Sequence, residues 1–123
     1  MNFALVRNQY AQTQHQSDLA LDNPHGRITR VFQSLLLDLN VLAGDYPEIR
    51  ANKSRSKALT AIYILQESLD FEQNQELSQN LYSLYEFMRV SILNYREKPY
   101  DISTSRDIAS ELLASWAELA SDG

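Results

Sequence analysis

Apolar residues recur at helical spacing in four consecutive blocks, and each block is bounded by residues that start or stop helices. No other property of the 123-residue chain constrains its fold as much. In the first block the stripe is Ile28, Val31, Phe32, Leu35, Leu39 and Leu42, widened by Leu36, Leu37 and Val41. Asn23 can cap it, Pro24 suits the first helical position, and Gly44 stops it. The second block opens at residues 45–48 with Asp45 or Tyr46 as cap, and Asp45 with Glu48 has capping-box spacing. From Ala58 it is apolar nearly all round, through Leu59, Ala61, Ile62, Tyr63, Ile64, Leu65 and Leu69. A turn follows around Phe71 to Asn74, and Asn74 can cap the third helix. The third stripe is Leu77, Leu81, Leu84, Met88, Ile92 and Tyr95, with a second one at Tyr82, Tyr85, Phe87, Val90 and Leu93. Pro99 predicts a stop near Lys98. The last helix opens between Asp101 and Ser105, with Ile108, Leu112, Ser115 or Trp116, and Leu119 as its stripe.

Four helices joined by short turns give an all-α fold, an antiparallel up-down four-helix bundle over residues 21–123. β-branched residues are sparse and strict alternation is hard to find. Residues 1–20 keep no helical stripe and run into Gln12, Gln14 and Gln16, which predicts a flexible N-terminal arm. Such an arm either docks through Phe3, Leu5 or Tyr10, or is a frayed terminus.

The net charge of −5 argues against a nucleic-acid partner, because phosphate rewards an excess of Lys and Arg. There is no cysteine, in keeping with a reducing cytoplasm. Apolar runs such as Leu35-Leu36-Leu37 are far too short for membrane insertion, and residues 1–20 lack a signal peptide's apolar run. The expectation is a soluble, cytoplasmic protein.

Little in the chain suggests catalysis. His15 and His25 have no neighbour at metal-ligand spacing and read as exposed polar residues. Gly26, Gly44 and Gly123 are too far apart to form a phosphate loop. No Glu has a His three residues on, which excludes the paired motif of di-iron bundles. Glu67, Glu72, Glu76, Glu86 and Glu111 read as surface charges. We therefore expect no enzyme, no metal and no cofactor.

What remains is apolar surface in excess of one core face, in residues 58–69 and 81–93. Three readings stand: packing on neighbours from two sides, a groove for a partner segment, or self-association as a homodimer. Periodicity divides the surface into a core side (Leu65, Leu69, Leu81, Leu84, Met88) and a second side (Ile64, Tyr82, Val90). The candidate partner-binding residues are Tyr10, Ile28, Val31, Ile62, Ile64, Leu81, Tyr82, Tyr85 and Val90. Arg50, Lys53 and Lys57 share one face of the second helix, either solvated or turned to an acidic partner.

The run Asn80-Leu81, then Leu84-Tyr85-Glu86-Phe87-Met88, resembles the central motif of the flagellin-specific export chaperones, the FliS family. Tyr10-Ala11, Pro24 with Ile28 and Thr29, and Trp116 resemble further marks of that family, so the likeness spans residues 10–119. The chain departs from it at Leu21-Asp22-Asn23, at Gln33-Ser34-Leu35, and in the middle turn, where Gln73-Asn74-Gln75 replaces a glycine. It reads as a divergent member. The resemblance implies a cytoplasmic helical bundle that binds the disordered C-terminal segment of flagellin. It further implies that such binding prevents premature polymerisation and brings flagellin to the type III export apparatus, whose gate is a candidate second partner. An adaptor or regulator of another secretion system is the runner-up.

Overall fold

The computed structural model describes residues 23–122. The arm expected over residues 1–20, Tyr10 included, lies outside the described residues. Four helices follow in order: α1 (Pro24–Ala43), α2 (Glu48–Glu67), α3 (Gln75–Leu93) and α4 (Pro99–Asp122). Each packs on its neighbours in the chain, and α4 closes the ring against α1. Contacts between helix ends fix the antiparallel order. Arg55 early in α2 reaches the carbonyl of Leu93 at the end of α3, and Arg106 early in α4 reaches Asn40 late in α1.

The α1 boundaries agree with the sequence. The Asn23 side chain accepts from the amides of His25 and Gly26, Pro24 opens the helix, and Gly44 caps its end. A Cβ on Gly44 would stand 2.8 Å from the Tyr46 ring, so the turn into α2 is built against a bare backbone. Asn74 caps α3 by accepting from the Leu77 amide, as expected. An Asn cap of this kind is worth about 1 kcal/mol.

Three boundaries differ from expectation. Pro47, not Asp45 or Tyr46, precedes α2, and no side chain caps that helix. Glu48 instead pairs with Arg96 at 3.2 Å, so the capping box does not form. The third helix ends at Leu93 rather than near Lys98. The Asn94 carbonyl accepts from the amides of Glu97 and Lys98, which winds the chain into a tight turn before Pro99 can act. The last helix begins at Pro99 rather than between Asp101 and Ser105, because a proline needs no amide partner in the first turn.

The core runs along the bundle axis through Leu35, Leu39, Ile62, Leu65, Met88 and Ile92, each with almost no exposed surface. The buried face of α3 is turned from the expected one. Ser78, Tyr85, Met88, Ser91 and Ile92 are buried, whereas Leu77 and Leu84, expected in the core, are exposed. Burying a serine is cheap here, because Ser91 donates to the Met88 carbonyl and Ser78 to the Asp70 carbonyl. An apolar stripe count is blind to such residues.

Candidate functional site

The antiparallel order brings the start of α1, the end of α2, the start of α3 and the end of α4 to one end of the bundle. The opposite end is drawn tight by small residues, Ala51 and Ser54 on α2, and Ser91 against Ser105 between α3 and α4. The hydroxyls of Ser91 and Ser105 lie 2.6 Å apart in a buried hydrogen bond. The first end carries an open cleft of about 1650 Å³ lined by all four helices and by the α2–α3 turn, with Phe32, Leu81, Tyr85 and Trp116 among its larger side chains. Small-molecule pockets usually enclose roughly 300–1,000 Å³. This cleft is larger and open, a shape suited to a length of chain.

Ile28, Val31 and Phe32 from α1, Leu65 from α2, and Leu81 and Tyr85 from α3 form its floor. The α1–α4 side is held by a reciprocal pair. His25 Nε2 lies 2.8 Å from the Trp116 carbonyl, which can only accept, so this nitrogen carries the proton. In return Trp116 Nε1 donates to the His25 carbonyl at 3.1 Å. The two rings stack 4.4 Å apart and 8° from parallel. Phe32 leans on the indole from below, with centroids 6.4 Å apart. His25 is thus a part-buried structural residue, not the exposed polar one expected. Sequence reasoning placed no cleft residue on α4; Trp116 and Leu112 line it. Leu112, Trp116 and Leu119 carried a signal as the apolar stripe of the last helix, and Trp116 also as a mark of the resemblance.

The expected partner-binding residues divide. Ile28, Val31, Ile64, Leu81 and Tyr85 line the cleft. Ile62 does not: it has no exposed surface and belongs to the core, two residues from Ile64 and so about 200° away round the helix. Tyr82 and Val90 are exposed but lie on the outer side of α3, away from the cleft. Tyr82 packs against Phe71 there, with ring centroids 6.4 Å apart. The excess of apolar surface therefore has two destinations, a cleft at one end and a patch along the outside of α2 and α3.

His25, Arg27, Arg30, Lys57, Asp70 and Tyr85 are the ionisable groups of the cleft lining. Burial pushes the Tyr85 phenol up to about 12, so it stays neutral in the floor. Asp38, behind the α1–α2 edge, is pushed up to about 6 by burial, against the opposing pull of Lys57 at 3.9 Å and a hydrogen bond from Ser54. Its Oδ2 has no hydrogen-bond partner. Glu86, half-buried, accepts from Gln66 at 2.7 Å and pairs with Arg89 at 2.9 Å, which hold its carboxyl below the usual range. Among the described residues no group of His, Asp and Glu is placed to hold a metal ion, and no helix is long and apolar enough to cross a membrane.

The described residues thus form a four-helix bundle, closed at one end and open over an apolar cleft at the other. The family model described as flagellar protein FliS matches residues 6–123, and the chain belongs to that family. It is a family of flagellar export chaperones that act on flagellar proteins, not a family of enzymes. No curated protein matches the chain, nor does any solved structure.

Proposed function

We propose that the cleft takes the disordered C-terminal segment of newly made flagellin in the cytoplasm. It keeps that segment from premature polymerisation and presents it to the flagellar type III export apparatus. The observation that carries this reading is the open cleft of about 1650 Å³ at the splayed end, floored by Ile28, Val31, Leu65, Leu81 and Tyr85. An apolar floor accepts the apolar side of an amphipathic turn, and binding needs no catalysis or cofactor. A disordered segment that orders on binding loses conformational entropy, so useful affinity needs a large contact surface. A long cleft supplies one while the complex stays releasable.

Titrating the full chain with the C-terminal segment of its host's flagellin tests this reading. The expected result is a one-to-one complex with more helical circular dichroism than the sum of its parts. No binding to any host flagellin would sink the reading.

A further inference from the structure

Asp38 is a buried carboxylate that the apolar reading of the cleft leaves unused. Its side chain keeps only 6% of its surface exposed, and its Oδ2 has no hydrogen-bond partner. Asp38 is not in the cleft lining, but its ion-pair partner is. Lys57 Nζ lies 3.9 Å from Asp38 Oδ1, and the lysine is 58% exposed. The helix that carries Asp38, α1, packs on α2 and α4. From α2, Lys57 and the Ser54 hydroxyl face the carboxylate. From α4, Arg106 is engaged by Asn40 instead. Lys57 is thus the charge that acts on Asp38, and Asp38 is the carboxylate with which Lys57 pairs among the described residues. The carboxylate that does stand in the lining, Asp70, lies beyond the end of α2 and has its Oδ1 engaged by the amides of Glu72 and Gln73.

We infer that Asp38 is a positioning residue of the cleft: its ionised carboxylate keeps the Lys57 ammonium paired when an apolar segment covers it. A segment laid in the cleft takes water from the side chains of the lining, Lys57 included. A charge that loses its water is tolerated when its counter-ion is at hand. With Asp38 protonated, the ammonium is either covered unpaired or swung out past the segment on its stem. Filling the cleft therefore favours the ionised form of Asp38 and releases a proton from chains that hold one. Affinity falls as pH drops through about 6, where Asp38 titrates in the empty chain. The inference rests on the cleft taking an apolar segment of flagellin, and adds a residue outside the lining on which that capture depends.

The test uses the full chain and the C-terminal segment of its host's flagellin, titrated at pH 7.5 and pH 5.5. About a quarter of Asp38 is ionised at the lower pH, so affinity should be roughly threefold weaker there. At pH 6, calorimetry in two buffers of different ionisation heat should show part of a proton released on binding. Asp38→Asn should bind roughly three- to tenfold more weakly at pH 7.5, without the pH slope and without proton release. Its melting temperature at pH 7.5 should nonetheless be higher, which separates lost affinity from lost folding. Adding Lys57→Met to Asp38→Asn should recover most of the affinity, because no ammonium is left to cover. The same pH slope in Asp38→Asn would assign it to the segment's own groups and overturn the inference. So would full affinity in Asp38→Asn, or a double variant no better than the single one. In each of these cases the segment still binds and the proposed function stands. If the segment binds at neither pH, both fall.

Discussion

The two ends of this bundle are made by the same four helices and behave as opposites. At the tight end, Ala51, Ser54, Ser91 and Ser105 present almost nothing beyond Cβ, and the helices close on one another. At the splayed end, Phe32, Leu81, Tyr85 and Trp116 occupy comparable positions along the helices and keep them apart. Interiors pack as densely as organic crystals, so a layer of small residues draws backbones together and a layer of large ones cannot.

The most damaging way to challenge this contrast is a charge at each end. Ile92→Asp, at the tight end, should unfold the chain, since a buried unpaired carboxylate costs several kcal/mol, on the order of its whole stability. Ile64→Asp, on the cleft wall, should leave the thermal melt nearly unchanged and abolish binding of the proposed flagellin segment. Equal losses of melting temperature would erase the distinction between the ends. A smaller effect comes from size. Ser105→Leu should cost about 2–3 kcal/mol in a urea titration, by overpacking and by losing its bond to Ser91. Ser115→Leu, on the cleft lining, should stay within about 0.5 kcal/mol.

Asp38 sharpens where the tight part begins. Its carboxyl titrates near 6 in the folded chain and at the ordinary 3.8 when unfolded. The folded state therefore binds the proton more tightly, and stability falls as pH rises from about 4 to about 6. The loss from this group is on the order of 2–3 kcal/mol, complete above pH 6. Denaturation followed against pH should show that slope, and Asp38→Asn should flatten it and raise stability at neutral pH. The smallest expected change is at the α1–α4 edge. His25→Ala removes a stacked ring and one hydrogen bond, worth about 1 kcal/mol, and should lower the melting temperature by a few degrees.

How much of this was legible in the sequence differs between the ends too. Apolar spacing and the Asn23-Pro24, Gly44 and Asn74 signals give four helices and their antiparallel order. They miss the face of α3 by about one residue, because Ser78 and Ser91 are buried with their hydroxyls bonded to carbonyls of the chain, and polarity alone hides this. Leu77 and Leu84, apolar but exposed, mislead in the other direction. The cleft was only half visible. Ile28, Val31, Ile64, Leu81 and Tyr85 lie on stripes that periodicity can find. The contribution of α4 depends on which helix ends meet, and on a His25–Trp116 pair separated by 91 positions, which no local pattern records.

That pair also gives the molecule an optical property. Trp116 is the sole tryptophan of the chain, so red-edge excitation, which bypasses the seven tyrosines, isolates one indole. This indole lines the cleft with an imidazole stacked on its face. Any segment entering there alters the polarity around the indole or its contact with the quenching imidazole. The emission of the unlabelled chain is therefore a gauge of whether the cleft is full or empty, readable in real time.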